Sequence, residues 1–194
     1  MNPDYRIIAA GGSAGGVEAF GILLGGLPVS PGAAIVLVQH QHRYSDTAGL
    51  AGHLAARSGW PVQVAGDKEI MEPGRLYLAP ANYHLLLERD LTFALSVDEK
   101  VHHCRPSIDV FFESVALALG NRAIGVVLSG ANRDGAEGLQ KIKERGGLTL
   151  VQEPASAESG TMPESAIRAG APHHVLAPAA MAALLAELVK KVGQ

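Results

Sequence analysis

Short runs of continuous apolar residues alternate along this chain with segments whose apolar positions recur every three or four residues. Ile7-Ile8-Ala9-Ala10 is the first apolar run, and across Gly11-Gly12-Ser13-Ala14-Gly15-Gly16 it gives way to a helix-like stretch from Val17 to Leu24. Pro28 to Gly32 reads as a loop. Ala33-Ala34-Ile35-Val36-Leu37-Val38, ending at Gln39-His40, has the uninterrupted apolar character of a strand buried on both faces of a parallel sheet. A helix is predicted near Ala48 to Arg57, closed by Gly59 and Pro61, and Val62-Gln63-Val64 reads as a further strand. Residues 74–98 change character: Leu76-Tyr77-Leu78, His84-Leu85-Leu86-Leu87 and Leu91-Thr92-Phe93-Ala94-Leu95, with Arg89-Asp90 as a turn, predict antiparallel hairpins inserted between helical units.

The helical period returns at Ser107, where Ile108, Phe111, Phe112, Val115 and Leu119 share one face. Ala123-Ile124-Gly125-Val126-Val127-Leu128 follows as a buried strand. The turn Ser129-Gly130-Ala131-Asn132-Arg133-Asp134-Gly135 leads into a helix with Ala136, Leu139 and Ile142 on its apolar side, stopped at Gly146-Gly147. Leu148 to Val151 predicts another strand, a loop carries Gly160 and Pro163, and Ala179 to Val192 predicts a last helix with Met181, Leu184, Leu185 and Leu188 facing inward. The order implies an α/β fold: a doubly wound, largely parallel sheet with helices on both faces and an antiparallel insertion around residues 74–98.

Composition narrows this picture. A chain of 194 residues, 47% apolar, can bury one substantial core, so a single domain over residues 1–194 is expected. The formal charge of −3 is spread along the sequence, without the basic stripe that nucleic-acid binding requires. A single cysteine, Cys104, excludes an internal disulfide and fits a reducing compartment. The first residues lack a basic region followed by a long apolar stretch, and no window is as long as a membrane span, so a cytoplasmic protein without membrane insertion is expected.

In doubly wound sheets functional groups gather at the carboxyl ends of the strands. Ser13, His40 and Asp134 each follow a predicted strand. A serine hydroxyl needs a base, an imidazole is the usual base, and a carboxylate fixes the imidazole's tautomer, so the three read as a hydrolase triad. Two other readings stay open on spacing alone. The glycines around Ser13 could cradle a phosphate at a helix N-terminus, and Asp134 could simply cap the helix after it. The glycine segment nevertheless lacks the Lys-Ser/Thr ending of a P-loop, and the second strand ends in His40 where a dinucleotide site has an acidic residue.

At these residues the chain resembles the catalytic domain of the chemotaxis protein-glutamate methylesterase family. The motifs are Gly12-Ser13-Ala14-Gly15-Gly16, Val38-Gln39-His40, Leu78-Ala79-Pro80, Arg105-Pro106-Ser107-Ile108-Asp109-Val110, Leu128-Ser129-Gly130 with Arg133-Asp134-Gly135-Ala136-Glu137-Gly138, and Met162-Pro163. The resemblance implies that Ser13 is the nucleophile, His40 the base and Asp134 its partner. It implies hydrolysis of glutamate γ-methyl esters on the cytoplasmic helices of methyl-accepting chemoreceptors, with glutamine deamidation in some members, through an acyl-enzyme and without cofactor or metal. Ala14, Gly130, Ala131, Asn132 and Met162 are the oxyanion or pocket candidates. Family members commonly carry Thr after the serine, Met-Pro after the histidine, Met near the aspartate and His before Arg-Pro-Ser; here those positions hold Ala14, Gln41-His42, Ala131 and Cys104. Family members typically carry an N-terminal receiver domain and this sequence begins directly at the catalytic strand, so no control by aspartyl phosphorylation within this polypeptide is expected, and a separate regulatory protein stands as a candidate partner. An esterase of the same fold acting on another ester, or a degenerate nucleotide-binding or protein-interaction module, are the alternatives.

Other polar residues are expected to play bland parts. His102-His103-Cys104 on an extended segment would point to alternating sides, with no second pair spaced to close a metal site. Cys104 is expected to be an ordinary thiol with no base beside it. Arg105, Pro106 and Ser107 read as a helix start. Among the remaining histidines, His42 and His174 are the two that could rim a pocket.

Overall fold

The computed structural model of the protein describes residues 4–28 and 32–189. Its first half runs β1 (Ile7–Gly12), α1 (Gly16–Gly25), β2 (Ala34–Gln39), α2 (Thr47–Ser58), β3 (Val62–Val64), β4 (Leu76–Leu78), β5 (His84–Leu87) and β6 (Phe93–Ser96). Its second half runs α3 (Ile108–Leu119), β7 (Ala123–Val127), α4 (Ala136–Glu144), β8 (Leu148–Gln152), α5 (Thr161–Arg168), β9 (His174–Leu176) and α6 (Pro178–Leu188). Seven strands form one sheet in the order β3-β4-β2-β1-β7-β8-β9, with every pair parallel. From β1 the chain passes to β2 on one side, and from β7 to β8 on the other. The connections therefore part between β1 and β7, which opens a crevice at the carboxyl ends of the central strands.

The sheet is central because its strands have apolar side chains pointing both ways. Ile7 and Ala9 of β1 join one core with α3, α4 and α5, whereas Ile8 and Ala10 join a second core with α1, α2 and α6. Phe111 and Phe112 of α3 are fully buried in the first core, and each contributes roughly 1.5–3 kcal/mol by that burial. The doubly wound expectation holds. No described helix is long and apolar enough to cross a membrane.

Three local expectations change. Leu76–Leu78 is no hairpin strand: as β4 it lies between β3 and β2 in the parallel sheet, and the antiparallel pair is β5 with β6 alone. All three residues of β4 are buried, but a three-residue apolar run does not reveal the direction of its neighbours. The expected loop around Gly160 and Pro163 contains α5, because Pro163 falls in the first turn, where its missing N–H has no helical partner to lose. His174–Leu176 adds β9 at the sheet edge, a strand too short and polar to show in the pattern. Residues 29–31 of the loop from Pro28 to Gly32, and residues 190–192 of the last predicted helix, lie outside the described residues.

Candidate active site

Two strands deliver Ser13 and His40. In the register of β1 and β2, Gly12 lies opposite Gln39, and the His40 N–H donates to Gly12 O at 3.0 Å, so Ser13 and His40 follow as the next facing positions. Ser13 N–H donates to Ser129 O at 2.9 Å, tying this turn to the one after β7. The Ser129 hydroxyl donates to Ala14 O at 2.6 Å and strengthens that tie. Gly15 adopts φ 73°, and a Cβ there would stand 2.7 Å from Ser129 Oγ and 2.5 Å from Glu158 Cβ. Only glycine satisfies both the backbone and the space. Ser13 is half-buried, and among the described residues its hydroxyl has no hydrogen-bond partner.

Asp134 is fully buried and its carboxylate is crowded with donors. Oδ1 accepts from Ser107 Oγ at 2.8 Å and Asp109 N at 3.0 Å, while Oδ2 accepts from Ile108 N at 2.8 Å and lies 2.7 Å from His40 Nε2. Asp134 thus caps a helix, but α3 rather than the following α4, whose own N-cap is Gly135 with no side-chain bond. The free N–H groups and positive end of α3 hold the carboxylate, which in turn holds the imidazole. Burial alone would raise the Asp134 pKa. The His40 bond and the amides of Asp109 and Ile108 outweigh burial and keep it below the usual carboxylate value of 3.8. Burial likewise opposes charge on His40, but Asp134 and the Cys104 sulfur outweigh it and raise the ring from 6.5 to about 9.

The second ring nitrogen, His40 Nδ1, faces Cys104 Sγ at 3.5 Å, so the expectation of a thiol with no base beside it is overturned. His102 and His103 take left-handed φ values of 50° and 64°, folding Val101 back on Cys104 in a tight turn instead of an extended segment. The turn aims the sulfur inward, where it also accepts from Asn132 Nδ2 at 3.4 Å and lies 3.3 Å from His102 O. His102 Nε2 stands 3.3 Å from Asp109 Oδ2, within ion-pair distance. Burial pushes the Asp109 carboxyl up to about 7 despite the Gly138 N–H it accepts at 2.7 Å.

The remaining candidates separate by what their amides do. Gly130 N–H is spent on Ser159 O at 3.0 Å, whereas the amides of Ala14 and Ala131 make no hydrogen bond among the described residues. Asn132 Oδ1 accepts from Asp134 N at 3.1 Å and steadies the turn. Met162 is fully buried beneath it, with Sδ 2.7 Å from the place a Gly130 Cβ would take, and does not line an open pocket. His42 lines a cleft of about 270 Å³ with Gln41, Arg43, Lys100, His103 and Arg105, beginning one residue beyond His40. His174 lies in β9 at the sheet edge, two strands from β7. Sequence reasoning missed Ser107 and Cys104 as contacts of the site. Ser107 at a helix start was a usable signal for the first, and the place of Cys104 before Arg105-Pro106-Ser107, where family members commonly carry His, was one for the second.

Donor atoms of His40, Cys104 and Asp134 lie within 4.8 Å of one another, as do those of His102, Asp109 and Asp134. Both trios share Asp134, whose oxygens already take three hydrogen bonds from α3 besides the contact with His40, while in the second trio Asp109 Oδ2 is buried with no hydrogen-bond donor among the described residues and only His102 Nε2 beside it at 3.3 Å.

Residues 8–185 match the family model for CheB methylesterase. Over 185 residues the chain is 44% identical to a putative protein-glutamate methylesterase/protein-glutamine glutaminase of Leptospira interrogans, covering 95% of each. It is 48% identical over 161 residues to protein-glutamate methylesterase/protein-glutamine glutaminase 2 of Pseudomonas syringae, covering 83% of this chain and 48% of that one. The chain therefore spans nearly all of the first relative and about half of the second. The crystal structure of the Thermotoga maritima CheB methylesterase catalytic domain superposes with a TM-score of 0.90 at 31% identity, covering 95% of this chain and 99% of that chain.

Proposed function

This chain belongs to the CheB methylesterase family, and on that premise we propose that it is a serine esterase that removes γ-methyl esters from glutamate side chains of a methylated chemoreceptor-type protein. Residues 1–194 act as one catalytic domain in this reading. Ser13 Oγ attacks the ester carbonyl, His40 takes its proton at Nδ1 and returns it to the leaving methanol, and water then cleaves the acyl-enzyme by the same route. Asp134 keeps Nε2 protonated and offsets the imidazolium charge. The free amides of Ala14 and Ala131 are the donors assigned to the oxyanion, the first because it directly follows the nucleophile.

The observation that carries this reading is the His40–Asp134 contact of 2.7 Å, anchored on a helix N-terminus, on a strand end whose next backbone bond, His40 N–H to Gly12 O, adjoins the strand end that bears Ser13. A carboxamide presents the same carbonyl with ammonia as the leaving group, so the glutaminase activity for which the relatives are named is open to the same groups. Methanol release from a methylated chemoreceptor cytoplasmic domain tests the proposal. Wild-type protein should release methanol and Ser13→Ala should fall to background; equal release by both excludes Ser13 as nucleophile. Because only a neutral His40 accepts a proton, kcat/KM should climb as pH rises through about 9, well above the 6.5 of a free imidazole. A profile already flat above pH 7 would contradict the proton transfer described.

A further inference from the structure

We propose that Cys104 is a positioning residue for His40: its sulfur holds Nδ1, the nitrogen turned away from Asp134, and so sets the pH at which the ring becomes available to Ser13. The inference rests on the reading of Ser13, His40 and Asp134 given above and adds a fourth residue that acts through the second.

An imidazole has two nitrogens, and here both are engaged. Nε2 lies 2.7 Å from Asp134 Oδ2, and Nδ1 lies 3.5 Å from Cys104 Sγ. The nitrogen that must receive the Ser13 proton is thus the one the sulfur occupies. Surrounding contacts determine which form of the ring the sulfur favours. Asn132 Nδ2 donates to Sγ at 3.4 Å, and the thiol proton has a second acceptor in His102 O at 3.3 Å. Both contacts leave sulfur electron density facing Nδ1, which favours the protonated ring and withholds the base. The charged groups on the other sides act at longer range. Asp134 faces Nε2, Asp109 lies behind Asp134, and His102 stands between Asp109 Oδ2 at 3.3 Å and Arg133 Nε at 3.4 Å. Of these, only Cys104 faces the nitrogen that Ser13 needs.

The left-handed turn at His102 and His103 gives the contact its precision, because it directs the residue after it at the ring. Cys104 is half-buried and is the chain's sole cysteine, so thiol chemistry reports on one position.

The test is the titration of the His40 ring by NMR in wild-type protein, Cys104→Ala and Cys104→Ser, paired with the pH dependence of fluorophosphonate labelling at Ser13. Cys104→Ala should lower the His40 midpoint by about one pH unit or more, since Asp134 alone then supports the charge, whereas Cys104→Ser keeps an acceptor at that place and should lower it less. The labelling midpoint should fall with it. A filler residue would change the plateau rate and leave both midpoints in place. Methyl methanethiosulfonate, which caps the thiol of the folded protein, should reproduce the shift, and dithiothreitol should reverse it; this arm does not depend on a variant folding. A His40 midpoint common to capped, variant and untreated proteins overturns the proposal. Absence of labelling in wild-type protein at every pH instead counts against Ser13 as nucleophile, and the ring titration still reports on the thiol.

Discussion

At the residue scale, the site is a chain of donors ending in one buried carboxylate. Asp134→Asn keeps the shape but replaces an acceptor with a group that can donate to His40 and favour the wrong tautomer, so kcat should fall by about 10³- to 10⁴-fold with little change in KM. Steady-state kinetics on a methyl ester substrate measures it; a loss below tenfold would remove Asp134 from its orienting role. The ion pair also has a pH signature in stability. His40 rises from 6.5 to about 9 on folding, so its contribution is complete below about 6.5 and disappears as pH rises through 9. Asp134 is lowered from 3.8, so its contribution is present above 3.8 and disappears as pH falls below it. Urea unfolding of wild type and His40→Gln should therefore differ most between about pH 4 and 6.5, and the pH-dependent part of the difference should vanish above 9. A constant difference across that range would mean that His40 is not charged in the folded protein.

At the scale of elements, α3 and α4 cap one another. Asp134, from the turn that enters α4, accepts the first amides of α3, while Asp109 in the first turn of α3 accepts Gly138 N–H of α4 at 2.7 Å. This exchange requires close approach at Gly138, where a Cβ would lie 2.8 Å from Asp109 O, 2.9 Å from Asp109 Cα and 2.7 Å from Phe112 Cβ. Two of those atoms are backbone and cannot swing aside. Gly138→Ala should accordingly destabilise the protein by about 1–3 kcal/mol in chemical unfolding, despite alanine's better helix propensity, and should lower activity by displacing α3 from Asp134. A stabilised Gly138→Ala protein would show that the helices have room to separate. Legibility in the sequence divides along the same lines. Ile108, Phe111, Phe112, Val115 and Leu119 announced α3, and the apolar runs announced β1, β2 and β7, because periodic burial writes itself into composition. That β4 is parallel and that Asp134 caps the helix preceding its own strand are decided by contacts between distant segments.

At the scale of the whole molecule, doubly winding the sheet turns three separate strand ends into one crevice. The apolar pattern predicted that architecture, and the strand-end positions of Ser13, His40 and Asp134 were readable from it. The sequence did not disclose Cys104 against His40, since a left-handed turn at two histidines has no periodic signature. The proposed reaction requires Ser13 to be a nucleophile activated by its neighbours. Its most direct measurement is mass-spectrometric mapping of a fluorophosphonate adduct on wild-type protein, Ser13→Ala and His40→Gln. One adduct is expected, on the peptide bearing Ser13, absent from Ser13→Ala and strongly slowed in His40→Gln. An adduct on another residue, or one on Ser13 formed as fast without His40, would contradict it.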